Sequence, residues 1–552
     1  VTIYELADQW LADDPNPQTR EQLSALIAAA KFGDDDALAE LTDAFDGPLT
    51  FGTAGLRAAM APGPNRMNSA VVRRASAGLA RFTLDNGGTR AIVGFDARRN
   101  SEQFAHDTAA VMSAAGLAVE LLPRPLPTPV LAFAVRQRGA DVGVMITASH
   151  NPARDNGYKV YLGSGSQIAP PIDTYIARYI NDVGPVRLIP VGDGWVTLDD
   201  HVVDSYLEVA ATVYSEQVPR NVQVAYTPLH GVGGQIFVQA CKRVGLPAPT
   251  VVAAQFAPDP EFPTVDFPNP EEPGAMDQVL ELAKDVAADV VIAHDPDADR
   301  CAMAVSRAGR YQMLCGDDVG ALLAWWAIER ARRNFGPVLS GTMATSIVSS
   351  SLLELIAGAA GLGYKCTLTG FKYLGAVDSL VYAYEEALGY CVDPKHVRDK
   401  DGITAALRII ELVAFLKEQG RTVDDVLADL AREFGVHLTD QISIRMPTVS
   451  HMRAAMSAAR ANPPSTLAAH GLIGVTDLAN GSNDFPATDA LVWRLPVGRV
   501  IVRPSGTEPK LKAYLELVFE PHRDVESAYA QARALMVLLR ADVNEFLRSS
   551  QS

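Results

Sequence analysis

Apolar positions recur at helical spacing through the first fifty residues, at Leu23, Leu26, Ile27 and Ala30, and Asp35-Asp36 introduces another such run. The texture then changes. Ala91-Ile92-Val93-Gly94-Phe95 is a short apolar run ending in a polar turn, a helical stretch follows from Phe104 to Ala115, and a second apolar run spans Ala118 to Leu122. Strand, helix, strand is the pattern of a parallel sheet covered by helices. It returns twice. Val222 to Tyr226 leads through Gly231-Val232-Gly233-Gly234 into a helix ending near Val244. Pro337-Val338-Leu339-Ser340 leads through Gly341-Thr342 into a helix from Ser346 to Ala357 and on to Tyr364-Lys365-Cys366. Beyond about Gly435 the runs Gln441 to Arg445, Val500 to Val502 and Ala513 to Leu517 read as strands, before a long helical tail from Val525 to Leu547. The expectation is an α/β chain of three related mixed α/β domains (1–200, 201–310 and 311–435) and a C-terminal α+β domain (436–552). Pro258-Asp259-Pro260 and Pro268-Asn269-Pro270 mark long ordered loops.

At 552 residues the chain is too long for one hydrophobic core, in keeping with several domains. A hydrophobic fraction of 48% with 20% charged residues is that of an ordinary globular enzyme. The net charge of −17 argues against a nucleic-acid partner, since neutralising phosphates needs a basic face. An anionic substrate would be repelled at long range, so any phosphate site must be locally cationic. No apolar stretch is long enough to span a bilayer, and Val1 to Leu6 lacks the features of a signal peptide. Cys241, Cys301, Cys315, Cys366 and Cys391 are odd in number, widely spaced and without a Cys-x-x-Cys pair. A reducing cytoplasm, with no membrane partner, is therefore expected.

Thr147-Ala148-Ser149-His150-Asn151-Pro152 follows the apolar run Val142 to Ile146, so Ser149 sits where a buried strand emerges into a loop. The six residues alone fit a capped turn as well as a reactive site, and Gly-x-Ser-x-Gly is absent. Asp295-Pro296-Asp297-Ala298-Asp299-Arg300 follows a second apolar run, Val290 to Ala293. Carboxylates at alternate positions share a face if the segment is extended, and oxygen-only ligands favour Mg²⁺. A solvated acidic turn is the competing reading; an EF-hand fails for want of its Gly and distal Glu. Arg503-Pro504-Ser505-Gly506-Thr507 follows the strand at Val500 to Val502 and offers a guanidinium fork, hydroxyls and a close backbone approach, the local basicity an anion needs. Glu385-Glu386 suits a vicinal diol or a solvated face. Phe51-Gly52-Thr53-Ala54-Gly55-Leu56-Arg57 and Thr369-Gly370-Phe371-Lys372 are small-residue loops ending in a cation.

In this order the segments resemble the α-D-phosphohexomutase family of phosphoglucomutases and phosphomannomutases, about one signature loop in each of four domains. Thr227-Pro228-Leu229-His230 and Asp399-Lys400-Asp401-Gly402 resemble a longer branch that also includes phosphopentomutases. The resemblance implies four domains around a central cleft, with the phosphoserine, metal, sugar and phosphate loops in domains one to four in turn. It implies Ser149 as the phosphoserine and Asp295, Asp297 and Asp299, with Ser149, as Mg²⁺ ligands. Lys159 matches a lysine proposed for acid–base work, acting as base if neighbouring cations and burial lower its pKa. Arg57, His150 and Arg300 look like further active-site cations, although adjacency in sequence does not itself make His150 the base for Ser149. Glu385, Glu386, Gly370 and Lys372 are implied at the sugar, and Arg503, Ser505, Gly506 and Thr507 at the non-reacting phosphate. The implied activity is reversible phosphate transfer between C1 and C6 of a hexose phosphate, glucose 1-phosphate and glucose 6-phosphate first. It would run through a bisphosphate that also primes the enzyme, in a monomer or dimer. A mannose or pentose phosphate, a Mg²⁺-dependent sugar phosphatase and a silent sugar-phosphate binder are the alternatives.

Overall fold

A computed structural model of the chain describes residues 2–52, 55–336, 338–505, 510–521 and 523–549. The fold divides into two compact units, Val1–Leu314 with Ala387–Phe415, and Cys315–Glu386 with Leu416–Ser552.

The first unit begins with the helices Ile3–Asp13, Pro17–Lys31 and Asp35–Ala44. Each starts where a polar side chain satisfies free N–H groups: Thr2 and Glu5 form a capping box, Asn16 caps ahead of Pro17, and Asp34 accepts from Ala37. Leu23, Ile27 and Leu41 are buried between them in a small core of their own. The main sheet of this unit runs Leu56–Ala59, Asp155–Leu162, Val142–Ile146, Arg90–Phe95, Ala118–Leu121, Val196–Thr197. Arg90–Phe95 lies between Ala118–Leu121 and Val142–Ile146 and is parallel to both. Val142–Ile146 is buried at every position, so it reads as a continuous apolar run without alternation. Asp155–Leu162 runs back antiparallel to it in the register Met145↔Lys159, and Leu56–Ala59 pairs beyond with Arg57 opposite Gly157. That register carries Arg57 and Lys159 to the sheet end where Val142–Ile146 runs out toward Ser149.

A second sheet in the same unit orders Arg310–Met313, Ala302–Arg307, Val290–Ala293, Val224–Thr227 and Thr250–Val251, the last three parallel. The aspartate segment leaves the C-terminal end of Val290–Ala293, the end at which parallel α/β sheets present their ligand loops.

In the second unit Gly363–Thr367, Thr342–Ser346 and Leu380–Glu385 are parallel, with Thr342–Ser346 central. Here the sequence pattern misleads. The strand is Thr342–Ser346 and not Val338 to Ser340 (Pro337 lies outside the described residues), and the helix that follows is Leu352–Ala359. Val338 is 88% exposed, whereas Met343 to Ser346 are buried. A central strand made of Thr, Met, Ala, Thr and Ser has little apolar signal, yet it is satisfied because Thr345 Oγ1 donates to the carbonyl of Tyr384 at 2.8 Å. A five-stranded sheet in this unit is antiparallel: Val436–Arg445, Lys510–Phe519, Gly498–Pro504, Leu491–Leu495 and Gly474–Asp477. Trp493, Val500, Leu515 and Leu517 from this sheet are buried with Leu539, Val543 and Leu547 of the helix Val525–Ser549. The α/β sheets followed by a C-terminal α+β sheet are the expected fold class. No helix among the described residues is long and apolar enough to cross a membrane.

Candidate active site

Ser149 is buried, and its backbone is left-handed at φ 53°. A serine there is strained by roughly 1–2 kcal/mol relative to ordinary backbone, so neighbouring contacts must hold it. Its own N–H donates to Thr147 Oγ1 at 2.9 Å. The larger restraint is Arg98, whose Nη2 donates to the carbonyls of Ser149 and Asn151, both at 2.6 Å, and whose Nη1 donates to those of Pro152 at 2.9 Å and Asp155 at 3.3 Å. One buried guanidinium thus gathers the whole loop. Asp96 balances its charge, with Oδ2 3.4 Å from Arg98 Nε.

Two groups meet the Ser149 hydroxyl: Asp295 Oδ2 at 3.0 Å, to which Oγ donates, and His150 Nδ1 at 3.1 Å. Burial, reinforced by Arg300 and Arg57, drives His150 well below the usual histidine range, so its imidazole is neutral and not the cation that the resemblance implies. The contact that adjacency alone did not promise is therefore made.

Ligand oxygens of Asp295, Asp297 and Asp299 lie within 4.8 Å of one another, and all three residues are buried. They converge differently from the alternation argument. The segment is a turn, closed by the Ala298 N–H donating to the Asp295 carbonyl at 2.9 Å with Ala298 at φ 54°, and not an extended strand. Burial, with Asp297 and Asp299 adding repulsion, pushes Asp295 well above the usual carboxylate range. Asp299 goes the other way: against the effect of burial, Lys159, Lys400 and Arg300 hold it far down. Asp297 Oδ1 and Asp299 Oδ1 are buried without a hydrogen-bond partner. Orphaned carboxylate oxygens on an all-oxygen donor set fit a hard divalent cation such as Mg²⁺.

Lys159 Nζ donates to Asp297 Oδ2 at 2.7 Å and Asp299 Oδ2 at 3.0 Å. Burial opposes its charge, but these two carboxylates outweigh burial and the nearby Lys400 and Arg57, and the ammonium is held above the usual lysine value. The condition for Lys159 to act as a free base, a lowered pKa, is not met in this arrangement. Arg57 Nη1 donates to Asn151 Oδ1 at 3.1 Å, and the Arg300 N–H donates to Asp295 Oδ1 at 3.0 Å.

Three contributors escape a reading by motif. Thr128, at the start of a helix, donates from Oγ1 to Asp297 Oδ2 at 2.6 Å. Lys400 Nζ lies 3.1 Å from Asp299 Oδ2, although Asp399 to Gly402 stands out in the sequence only as a branch marker. Gly402 is required here, since a Cβ would lie 2.3 Å from the Arg300 carbonyl oxygen. Arg98 had a signal: Asp96-Ala97-Arg98 also follows a buried strand, as Ser149 and Asp295 do.

In the second unit Glu385 ends its strand, and its Oε1 accepts the Gly370 N–H at 2.7 Å. Glu386 Oε2 accepts from Ser349 Oγ at 2.9 Å and Ser346 Oγ at 3.1 Å. Lys372 is buried, with Nζ 4.9 Å from the centre of the Tyr373 ring. Arg503 lies in the strand Gly498–Pro504, and the Ser505 N–H donates to the Lys510 carbonyl at 2.8 Å. Gly506 and Thr507, like Thr53 and Ala54, lie outside the described residues.

Models of the four phosphoglucomutase/phosphomannomutase domains match the chain in order: α/β/α domains I, II and III at 48–186, 204–309 and 315–434, and the C-terminal domain at 475–522. The chain belongs to the phosphoglucomutase/phosphomannomutase family. It is a phosphomutase, an isomerase within the α-D-phosphohexomutases. The Haemophilus influenzae protein named "Probable phosphomannomutase" is 44% identical over 84% of this chain and 96% of its own length. Human phosphopentomutase is 34% identical over 93% of this chain and 91% of its own length. Among solved structures, a phosphoglucomutase/phosphomannomutase family protein from Burkholderia thailandensis shares the fold with a TM-score of 0.68 at 19% identity, covering 91% of this chain and 97% of that one.

Proposed function

We propose that this phosphomutase moves phosphate reversibly between C1 and C6 of a hexose phosphate, glucose 1-phosphate and glucose 6-phosphate first, by way of phosphorylated Ser149. The carrying observation is the Ser149 hydroxyl 3.0 Å from Asp295 Oδ2, at the edge of a buried carboxylate triad with orphaned oxygens. Phosphoserine gives its phosphoryl group to the free hydroxyl of the sugar monophosphate; the resulting bisphosphate returns its other phosphate to Ser149. A sugar bisphosphate is thus also the priming activator. Asp295, Asp297 and Asp299, with an oxygen on Ser149, hold Mg²⁺, which when bound neutralises charge on the transferring phosphoryl oxygens. Arg57 and Arg300 add fixed positive charge for the phosphoryl group. His150, neutral and in contact with Ser149 Oγ, takes the hydroxyl proton when Ser149 is phosphorylated and returns it when the phosphoryl group leaves. Lys159 enters as an ammonium, supplying charge and a proton to the sugar oxygen released in the return step; once deprotonated it accepts the proton of the attacking hydroxyl. Glu385 and Glu386, with Gly370 and Lys372, bind sugar hydroxyls. Arg503, Ser505, Gly506 and Thr507 bind the phosphate that is not reacting.

A pentose phosphate is the second reading, favoured by the similarity to human phosphopentomutase across 93% of the chain. A side-by-side kcat/KM comparison on glucose 1-phosphate, mannose 1-phosphate and ribose 1-phosphate decides between them. The hexose reading expects glucose 1-phosphate to lead by at least about tenfold, a discrimination one or two sugar contacts supply; a lead for ribose 1-phosphate overturns it.

A further inference from the structure

The second unit contains a half-buried polar network that none of the signature loops accounts for. Arg499 and Glu516 face each other across adjacent strands, and Arg499 Nε donates to Glu516 Oε2 at 2.7 Å. Both then reach onto the serine-rich loop between the strand Thr342–Ser346 and the helix Leu352–Ala359. Arg499 Nη2 donates to the Ser349 carbonyl at 2.7 Å. Glu516 Oε1 accepts the Ser351 N–H at 2.7 Å, Ser351 Oγ at 2.9 Å and Ser350 Oγ at 3.0 Å. Glu516 is buried, yet His437, Arg499 and the Ser351 N–H outweigh that burial and bring it down to about 2, so it is a carboxylate throughout the working pH range.

The same loop holds Glu386. Ser346 and Ser349 both donate to Oε2, and the Glu386 N–H donates back to Ser349 Oγ at 3.1 Å. The Glu386 backbone is seated too: a Cβ on Gly316 would lie 1.8 Å from the Glu386 carbonyl oxygen. The serines leave Oε1 untouched, so they fix the carboxylate's rotation without using both of its oxygens. Arg499 also shares its strand with Arg503, four residues on, which at about 3.3 Å per residue is roughly 13 Å along a hydrogen-bonded ribbon.

We infer that Arg499 and Glu516 are positioning residues for the sugar site: they grip the Ser349–Ser351 loop, and through Ser349 they set the orientation of the Glu386 carboxylate. The inference rests on the proposed role of Glu386 at the sugar hydroxyls. A long carboxylate side chain has little intrinsic order. One that must discriminate hydroxyl geometry needs its rotamer locked by neighbours. The ion pair also places Arg503 at a fixed distance along the strand from that lock.

The test is a double-mutant cycle on KM for the sugar monophosphate, using Arg499→Met and Glu386→Gln in the full chain. Arg499→Met should raise KM about ten- to hundredfold, the scale of losing hydrogen bonds from a charged donor, with a smaller change in kcat. In the Glu386→Gln background Arg499→Met should add less than about twofold, because the group it acts through has already been altered. Arg499→Lys should restore KM only in part, since Arg499 reaches Glu516 Oε2 and the Ser349 carbonyl with two separate nitrogens held in one rigid plane, whereas lysine brings a single nitrogen on a flexible stem. Should Arg499→Met fold poorly by circular dichroism, Ser349→Ala, which deletes one hydroxyl, replaces it in the same cycle. Multiplicative effects on KM in an active enzyme, or an unchanged KM in Arg499→Met, overturn the positioning role alone. A wild-type chain that turns over none of the three sugar phosphates overturns the functional reading, and the positioning role with it.

Discussion

Replacing Arg98 by methionine should release the Ser149 loop. Three carbonyls at 2.9 Å or less lose a charged donor. At roughly 1.5–3 kcal/mol each, and less than additively, the loss is about 3–6 kcal/mol. Asp96 is stranded as well, since both members of the pair are 1% exposed. Breaking a buried pair costs roughly 3–5 kcal/mol, although burial already holds Asp96 above the usual carboxylate range, so it takes up a proton and recovers part of this. The net, about 4–8 kcal/mol, rivals the whole stability of a domain. Part of it appears as loop opening, because Ser149 at φ 53° relaxes once its carbonyl is free. Hydrogen exchange over residues 148–155 should therefore accelerate. The value of kcat should fall at least about a hundredfold, because misplacing a reacting group by an ångström carries that scale of loss. Arg98→Met with Asp96→Asn separates the two effects: the double variant should regain stability by removing the stranded carboxyl, while kcat stays low. Native exchange across the loop and a kcat within about twofold of wild type in Arg98→Met would refute the reasoning.

Two further predictions concern charge. Mg²⁺ should raise the thermal midpoint of the wild-type protein, since a ligand that binds only the native state stabilises it, and Asp297→Asn should abolish both that shift and at least about 99% of turnover; an undiminished shift in the variant argues against the triad as the metal site. Asp317 is pushed up to about 7 by burial, with Glu386 and Glu516 adding to it. The native state then holds this proton more tightly than the unfolded chain, whose aspartates titrate near 3.9, so its contribution to stability is lost as pH rises from about 4 to 7. Asp317→Asn should be more stable than wild type at pH 8 by up to roughly 4 kcal/mol in denaturant titrations, with the gap closing toward pH 4; no pH dependence of the gap would contradict the assignment.

Much of the site was legible because its chemistry is concentrated in short segments that follow buried apolar strands. Val142 to Ile146 and Val290 to Ala293 announce themselves by composition, and the polar residues after them are the ones the fold brings together. What stayed hidden is of three kinds. Thr342–Ser346 is a central strand built, Met343 apart, of small and hydroxyl side chains, and its hydrogen bonds to neighbouring strands, more than its hydrophobicity, make it one. Asp295, Asp297 and Asp299 were legible as a cluster but not in shape, because a left-handed Ala298 turns the chain where alternation had assumed extension. Thr128 and Lys400 act across sequence separations that no local pattern records, and Arg98, although it follows a buried strand, meets its carbonyl partners only in the fold. The protonation of Lys159 is likewise a tertiary property, set by two aspartates more than a hundred residues away.

In the proposed cycle Ser149 carries the phosphoryl group between sugar positions. Incubating the protein and Mg²⁺ with radiolabelled sugar bisphosphate, mapping the labelled peptide, and chasing with unlabelled sugar monophosphate tests it most directly. Label is expected on Ser149, absent in Ser149→Ala, and returned quantitatively to sugar phosphate on the chase. Label on another residue, or its release as inorganic phosphate, would contradict that cycle.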